Sequence, residues 1–276
     1  MKLLIIGAKG MLGSTLSEVF GDLRPECWDR EEIDITNFEQ TREAIAALQP
    51  DVIINAAAFT DVDAAETNRQ AALAVNETGV RNLALAAKQV DATLIHYSTD
   101  YVFPGTQAKG YAEIDAPGPA VNVYGESKLA GERALNEVKP NYYLLRTAWL
   151  YGPNGKNFVE TMLALANKHD HLNVVEDQWG SPTFTKDVAR FTRTLLEEQY
   201  PFGIYHAVNS GTASWFQFAQ KIFEHTDYGV VVKPTTSAEF PRPATRPTYS
   251  VLKNIQGPAM RPWQDALGEY MRERKA

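Results

Sequence analysis

Two segments of the chain carry side chains suited to proton transfer. Tyr124 and Lys128 are four residues apart among helix formers, which places both on one helix face. Ser98 and Thr99 end an apolar run typical of a strand. A free tyrosine has a pKa near 10, and one lysine charge at about 4 Å supplies the roughly 4 kcal/mol needed for acid–base work near pH 7. The pattern predicts that Lys128 lowers the pKa of Tyr124 and that Thr99 or Ser98 donates to a carbonyl.

A glycine-rich turn follows the first apolar run of the chain. Leu3–Ile6 leads directly into Gly7, Gly10 and Gly13, and then into a helical pattern. Glycine permits positive φ and the close approach of a pyrophosphate, and a new helix offers free N–H groups to that anion. The G-x-x-G-x-x-G spacing differs from the G-x-G-x-x-G fingerprint, and alone it also fits a tightly packed turn. In strand–turn–helix order, it predicts a dinucleotide site.

A short strand is also expected just before Asp29, and the residues at its end leave the choice of dinucleotide open. Asp29, 16 residues after Gly13, can accept a hydrogen bond from an adenosine ribose hydroxyl, which favours NADH. Arg30 and Lys9 can instead pair with the 2′-phosphate of NADPH. Both cofactors therefore fit the sequence.

These residues require a scaffold in which strand ends and helix starts meet. In the first 150 residues, short β-rich runs alternate with helical patterns, as in parallel sheets built from βαβ units. The expected strands are 3–6, 52–54, 93–97 and 143–146, and the expected helices are 11–20, 38–48, 69–89 and 124–137. Further on, we expect helices at 158–168 and 186–199, strands at 172–175 and 204–208, and an irregular surface loop at 230–247.

This alternation predicts an α/β protein. We expect a Rossmann-type doubly wound parallel sheet with a smaller, interleaved C-terminal α/β substrate domain. Residues 1–155 and 183–210 should form the dinucleotide-binding domain, and residues 156–182 and 211–276 the substrate domain. In an open parallel sheet, ligands bind beyond the carboxyl ends of the strands, so the glycine turn and the Ser98–Thr99 strand end should share one edge.

Composition narrows the classes of partner. The 276 residues include 27 Lys and Arg against 34 Asp and Glu, a formal charge of −7, without a basic cluster. This balance argues against nucleic acid and against a polybasic membrane surface, and no apolar run approaches the roughly 18–20 residues of a bilayer-spanning helix. The single cysteine, Cys27, is expected to be a buried strand residue and suits a reducing cytoplasm. We therefore expect a cytoplasmic protein with a small-molecule ligand.

The motifs together resemble the extended short-chain dehydrogenase/reductase family, which uses G-x-x-G-x-x-G, an N-A-A/G element, a Ser or Thr, and Y-x-x-x-K. Five longer runs resemble the members that reduce the C4 ketone of dTDP-4-dehydro-L-rhamnose to dTDP-L-rhamnose for cell-surface polysaccharide. These runs are Asn55–Thr60, Ser98–Phe103, Asn122–Glu132, Arg146–Gly152 and Asp177–Thr183. The resemblance implies an NAD(P)H-dependent oxidoreductase with a dTDP-sugar substrate.

The resemblance also implies roles for individual residues. Tyr124 would donate a proton to the new C4 hydroxyl, Lys128 would hold the nicotinamide ribose, and Thr99 would bind the ketone oxygen. The implied cofactor contacts are Gly10, Met11, Leu12, Asp29, Asp34, Ile35, Ala58, Phe59, Thr60 and Tyr97, besides Tyr124 and Lys128. The implied dTDP-sugar contacts are Thr99, Asp100 and Trp149. Arg246 is expected at the substrate diphosphate, with a solvated loop arginine as the alternative.

One position departs from the family pattern. Some relatives carry a glutamate two residues after the third loop glycine, where it helps hold a magnesium ion between two subunits, and this chain has Thr15 there. A neutral hydroxyl is a poor replacement for a carboxylate that binds a hard cation. We therefore expect no magnesium site, and we favour a monomer over a homodimer.

Two other functions are compatible with the same fold. One is a non-catalytic regulatory subunit that binds a dinucleotide, and the other is a nucleotide-sugar epimerase or dehydratase that regenerates its bound cofactor. Intact Thr99, Tyr124 and Lys128 argue against the regulatory subunit. Net consumption of the reduced cofactor distinguishes a reductase from the epimerase or dehydratase.

Overall fold

The computed structural model describes residues 1–274, in which strands and helices alternate. The strands are β1 (Leu3–Ile6), β2 (Glu26–Trp28), β3 (Val52–Asn55), β4 (Thr93–Thr99), β5 (Tyr111–Ala112), β6 (Tyr142–Thr147), β7 (Leu150–Tyr151), β8 (His171–Val175), β9 (Trp179–Gly180), β10 (Thr183–Phe184), β11 (Gly203–His206), β12 (Ala213–Ser214), β13 (Val231–Thr235) and β14 (Leu252–Lys253). The helices are α1 (Met11–Val19), α2 (Phe38–Leu48), α3 (Val62–Thr67), α4 (Arg69–Leu73), α5 (Gly79–Gln89), α6 (Val123–Val138), α7 (Phe158–Ala166), α8 (Thr185–Glu197), α9 (Trp215–Glu224) and α10 (Trp263–Glu273).

A parallel sheet forms the centre of the described residues. Its six strands follow the order β11-β6-β4-β3-β1-β2. The direction of winding reverses at β1, because β2 lies on one side of it and β3 on the other. In open α/β sheets, ligands bind at such a reversal, beyond the carboxyl ends of the strands. The prediction of a Rossmann-type doubly wound sheet is confirmed.

Helices cover both faces of this sheet. Leu3 and Ile5 of β1 pack in one apolar cluster with residues of α1 and α8. Leu4 and Ile6 point the other way and pack with residues of α2, α5 and α6. Because both faces of the strand are buried, its sequence is an uninterrupted apolar run.

A second apolar cluster lies in the C-terminal part of the chain. It joins α7, α9 and α10 through Met162, Phe218, Ile222, Trp263 and Leu267. Helix α9 begins at a capping box, in which the Ser214 hydroxyl accepts from the Gln217 N–H and the Gln217 side chain accepts from the Ser214 N–H. The domain boundaries given above stay a prediction.

Three local predictions are corrected by the structure. The loop predicted at 230–247 contains β13, which pairs in parallel with β8. The local sequence does not indicate this strand, because its hydrogen-bonding partner is distant in the sequence. The helix predicted at 69–89 is α4 and α5 joined by a π-helical turn, Ala74–Thr78. Cys27 is exposed and not buried, because β2 is an edge strand of the sheet.

Among residues 1–274, none of the helices combines the length and apolar character needed to cross a bilayer.

Candidate active site

A cavity of about 1200 Å³ opens at the carboxyl edge of the central sheet. Its wall is built from the β1–α1 turn, the segments that follow β2 and β3, the end of β4, the start of α6 and the loop after β7. Small-molecule pockets typically measure about 300–1000 Å³, so this volume suits a dinucleotide together with part of a second ligand.

The wall brings together most of the predicted site residues. It contains Gly7, Gly10, Met11, Leu12, Asp29, Arg30, Asp34, Ile35, Ala58, Phe59, Thr60, Tyr97, Thr99, Asp100, Tyr124, Lys128 and Trp149. Two predicted residues, Gly13 and Arg246, do not line it.

The glycine turn leaves an open cradle at the start of α1. Gly7 has φ +78°, and a Cβ there would lie 2.6 Å from the Ala57 nitrogen. Gly10 is the N-cap of α1 without a side-chain cap, which leaves helix N–H groups available to an anion. A Cβ on Gly13 would lie 2.0 Å from the Gly7 oxygen, so Gly13 lets the helix pack under the turn and does not line the cavity. The cradle fits a pyrophosphate.

Asp29 braces this turn from the end of β2. One carboxylate oxygen accepts from the Lys9 N–H at 3.1 Å, and the other accepts from the Arg30 N–H at 2.9 Å. The Lys9 ammonium forms an exposed ion pair with Glu31 at 2.9 Å. Lys9, one of the two basic residues predicted to meet a 2′-phosphate, is therefore shared with a neighbouring carboxylate.

The N-cap of α6 positions Tyr124. The Asn122 side chain accepts from the Gly125 N–H at 2.8 Å and donates to the Thr245 carbonyl at 2.8 Å. Helix α6 therefore starts at Val123, and Tyr124 lies in its first turn with Lys128 one turn later.

Thr99 and Tyr124 meet at the end of β4. The Thr99 hydroxyl lies near enough to the Tyr124 phenol to affect its pKa, donates to Asp100 Oδ1 at 2.9 Å and accepts from the Tyr101 N–H at 3.2 Å. The Lys128 Nζ atom donates to the Tyr97 carbonyl at 2.6 Å. A strand end and a helix start thus place a phenol, an aliphatic hydroxyl and an amino group in one cavity wall.

Burial dominates the protonation equilibria of this group. It raises the pKa of Tyr124 to about 12, and the nearby Thr99 hydroxyl offsets part of that rise. It lowers the pKa of Lys128 to about 8, against the opposing charge of Glu132. The pKa of Tyr124 is thus raised, contrary to the prediction that Lys128 lowers it, because loss of water disfavours the phenolate more than the surroundings stabilise it.

Asp100 adds a carboxyl group to the cavity wall, and Trp149 adds a flat aromatic surface. Asp100 is 3% exposed, and burial raises the pKa of its carboxyl to about 7. Trp149 has φ +46° and stacks on Trp215 with ring centroids 3.4 Å apart and an angle of 4° between the rings. A bulky residue at positive φ carries strain on the order of 1–3 kcal/mol, so the surrounding packing must hold Trp149 in place.

Arg246 is not among the residues that line the cavity. Its Nη1 atom donates to Asp63 of α3 at 2.9 Å and to the Ala244 carbonyl at 2.8 Å. The opposing charge lowers the pKa of the Asp63 carboxyl, while burial of that group acts in the other direction. Arg246 thus already has an anionic partner within the chain, and its contact with the substrate diphosphate stays a prediction.

Sequence reasoning missed several residues of the wall, among them the consecutive residues Asn154, Gly155 and Lys156. They follow β7, where the Asn154 amide lies 3.4 Å from the Ser14 hydroxyl. The signal that could have found them is the Gly152-Pro153-Asn154 run, a turn pattern directly after a strand end.

The position that carries a glutamate in some relatives is buried here. Thr15 is 2% exposed, its hydroxyl donates to the Met11 carbonyl at 3.0 Å, and it lies 3.0 Å from the Thr185 hydroxyl. Within residues 1–274, we find no group of three or more His, Cys, Asp or Glu side chains that could hold a metal ion. The expectation about magnesium stays a prediction.

Fold and site together define a class of protein. A doubly wound parallel sheet with a glycine cradle at its first strand, and with Thr99, Tyr124 and Lys128 in one cavity wall, is the arrangement of an extended short-chain dehydrogenase/reductase. Within that class, the family described as the RmlD substrate binding domain matches residues 1–275, and the chain belongs to this family.

Known proteins of similar sequence and structure agree with this assignment. The chain is 43% identical over 280 residues to a dTDP-4-dehydrorhamnose reductase of Streptomyces griseus, covering 96% of this chain and 91% of that protein. A crystal structure of a dTDP-4-dehydrorhamnose reductase from Clostridium acetobutylicum superposes with a TM-score of 0.96 at 41% identity, covering 100% of both chains. The Bacillus anthracis reductase in complex with NADP gives a TM-score of 0.95 at 39% identity, covering 99% of this chain and 100% of that one.

Proposed function

We propose that the protein is a reductase that uses NADPH to convert the C4 ketone of dTDP-4-dehydro-L-rhamnose into the hydroxyl of dTDP-L-rhamnose. The observation that carries this proposal is the meeting of the Thr99 hydroxyl, the Tyr124 phenol and the Lys128 amino group in a cavity that also contains the glycine cradle. The names of the similar enzymes and the NADP complex of one of them support it.

The cofactor fits the end of the cavity formed by the glycine turn. Gly7, Gly10 and the free N–H groups of α1 would hold its pyrophosphate, and Asp29 and Arg30 line the wall where its adenosine ribose would lie. Lys128 would hold the nicotinamide ribose. The cofactor supplies hydride to the C4 carbon, and NADH stays the alternative donor.

Tyr124 holds the proton that the new hydroxyl requires. With its pKa raised to about 12, the phenol stays protonated throughout the physiological pH range. Tyr124 would donate a hydrogen bond to the ketone oxygen, and Thr99 would turn its one hydroxyl proton from Asp100 Oδ1 to the same oxygen. The phenolic proton would move from Oη to that oxygen as charge develops on it. Thr99, Asp100 and Trp149 would orient the sugar from the same side of the cavity.

The C-terminal cluster offers a place for the rest of the nucleotide sugar. Trp149 packs on Trp215 and Phe158 lies against the same ring, so the cavity wall continues into this cluster. This supports the division into a dinucleotide domain (1–155 and 183–210) and a substrate domain (156–182 and 211–276). A cytoplasmic location and a monomeric state complete the proposal. Arg246, which pairs with Asp63, is better explained as a loop arginine than as a diphosphate contact.

The test is a stoichiometry measurement. The protein is mixed with NADPH and dTDP-4-dehydro-L-rhamnose, the absorbance of the reduced nicotinamide is followed, and dTDP-L-rhamnose is measured by mass spectrometry. One NADPH consumed for each product molecule supports the reductase. Product without net consumption would indicate the epimerase or dehydratase, and bound NADPH without product would indicate the regulatory subunit. The same assay with NADH ranks the two cofactors.

A further inference from the structure

A buried line of polar groups connects Lys128 to the backbone that follows β3. The Ala57 N–H donates to Asn55 Oδ1 at 3.1 Å, Asn55 Nδ2 lies 3.1 Å from His96 Nδ1, and His96 Nε2 lies 3.5 Å from Lys128 Nζ. Asn55 and His96 are each 1% exposed, and Lys128 is 2% exposed. Neither Asn55 nor His96 takes part in the chemistry described above.

The first member of this line fixes the direction of all the hydrogen bonds. A backbone N–H can only donate, so the Asn55 carbonyl oxygen faces Ala57 and the Asn55 amino group faces His96. An amide NH₂ group donates, so His96 Nδ1 must accept. Burial of the ring, the larger cause, holds the pKa of His96 well below its usual range, so the ring is neutral and its one proton is on Nε2.

The proton on Nε2 points at Lys128. Lys128 Nζ also lies 2.6 Å from the Tyr97 carbonyl, which requires a donor. An uncharged amine satisfies both neighbours, because one N–H donates to Tyr97 and the lone pair accepts from His96. An ammonium has three donors and no acceptor, so it would set one N–H against another in a buried site.

We propose that Asn55 and His96 are positioning residues that shift Lys128 toward the uncharged amine. This inference rests on the proposed function, in which Lys128 works beside Tyr124. An uncharged Lys128 amine beside Tyr124 can accept a proton when cofactor and substrate bind, whereas an ammonium cannot.

Other groups that face Lys128 do not reverse this conclusion. On α6, Tyr124 is a neutral phenol, and Glu132 favours the ammonium. Glu132 is itself neutralised from β6 by Arg146, which donates to its two carboxylate oxygens at 2.9 and 2.7 Å. From β4, His96 presents a neutral ring. Burial then lowers the pKa of Lys128 to about 8, in the same direction as the imidazole N–H.

The direct test is the variant Asn55→Asp, which should reverse donor and acceptor in the hydrogen bonds between residue 55, His96 and Lys128. A carboxylate accepts at both oxygens, so His96 would carry its proton on Nδ1 and would offer the Nε2 lone pair to a Lys128 ammonium. The full-length protein is labelled with ¹³C at lysine Cε and titrated by NMR, with Lys128→Met used to assign the signal. We expect Lys128 to titrate below the other lysines in the unsubstituted chain, and Asn55→Asp to raise its midpoint by about one pH unit, or tenfold in proton affinity.

A second variant separates two effects on the Lys128 midpoint: that of the His96 imidazole, and the direct electrostatic effect of the carboxylate in Asn55→Asp. His96→Phe removes the Nε2–H and should raise the Lys128 midpoint by itself, which keeps the test usable if Asn55→Asp does not fold. In the His96→Phe background, Asn55→Asp should shift the midpoint less than in the unsubstituted chain. Equal shifts in both backgrounds, an unchanged midpoint in His96→Phe, or an ordinary Lys128 midpoint in the unsubstituted chain would overturn the proposal.

The titration requires no turnover, so it is independent of the proposed reaction. If the reductase assay fails while the Lys128 midpoint moves as expected, the function is wrong and the hydrogen-bond line stands. If the reductase assay succeeds and the midpoint stays fixed, the line is wrong and the function stands. In an active enzyme, the alkaline limb of the kcat/KM profile should follow the NMR midpoint in both variants.

Discussion

At the scale of single residues, loss of water determines which groups of the site are charged. The Tyr124 phenol stays protonated because its pKa rises to about 12, and the Asp100 carboxyl titrates close to neutrality. Thr99 donates to Asp100 and lies near the Tyr124 phenol, so one hydroxyl stands between the proton donor and the neighbouring acid. The Tyr124 phenol is therefore available as a proton donor, and its surroundings do not stabilise the phenolate.

The burial of Asp100 predicts a pH dependence of stability. Its pKa in the folded chain, about 7, is higher than the value near 4 expected when the chain unfolds, so the folded state binds this proton more tightly. The contribution to stability is full below about pH 4 and is lost as the pH rises toward 7. Asp100→Asn, which cannot ionise, should therefore gain stability relative to the unsubstituted chain between pH 5 and pH 8, by up to about 4 kcal/mol. Urea unfolding at several pH values measures this, and a difference that does not vary with pH would contradict it.

At the scale of elements, α6 combines a catalytic face with a structural one. Its first turns carry Tyr124 and Lys128, and its third turn carries Glu132, which forms a buried ion pair with Arg146 of β6. The Ser98 hydroxyl also donates to Glu132, so the end of β4 is tied to the same carboxylate. This pair fixes the helix against the two strands whose ends form the site.

Breaking that pair should therefore destabilise the protein strongly. Glu132→Gln leaves the Arg146 charge buried at 1% exposure without a carboxylate, and we expect a loss of about 3–5 kcal/mol in the free energy of unfolding. Glu137→Gln on the same helix is the matched control, because its pair with Arg81 is exposed and should contribute under about 1 kcal/mol. Urea unfolding of both variants makes the comparison, and losses of similar size would show that burial of the pair does not matter.

At the scale of the whole molecule, the cavity lies where the central sheet meets the C-terminal cluster. The cofactor cradle belongs to the first strand and helix, whereas Trp149 leans on Trp215 of α9. The loop that contains Arg246 is fastened to α3 through Asp63 and to the start of α6 through Asn122. The walls of the cavity are thus held in place by contacts between distant parts of the chain.

The buried Thr15 predicts the assembly state. Because its hydroxyl bonds within the chain and carries no charge, it offers no ligand for a metal-linked dimer. Light scattering after size exclusion should give the mass of one chain, 30.7 kDa, with or without magnesium. Twice that mass, lost on chelation of the metal, would refute the prediction.

What the sequence could predict was local or periodic. The strand–turn–helix order around Gly7 and the placement of Tyr124 and Lys128 one turn apart follow from spacing, and parallel strands bring their ends to one edge. Contacts between distant segments carry no such signal. This is why β13, the exposure of Cys27 and the pairing of Arg246 were not foreseen. The pKa of Tyr124 was predicted in the wrong direction because a single charge was weighed without the cost of burial.

The most direct measurement of the central claim is the turnover of Tyr124→Phe. The ring keeps its packing and only the acidic proton is lost, so kcat should fall by about 10²–10⁴-fold while the NADPH dissociation constant stays within about twofold. Tyr142→Phe, a partly buried phenol at the opposite end of the sheet, is the control and should turn over normally. Near-normal kcat in Tyr124→Phe would show that the proton comes from another group.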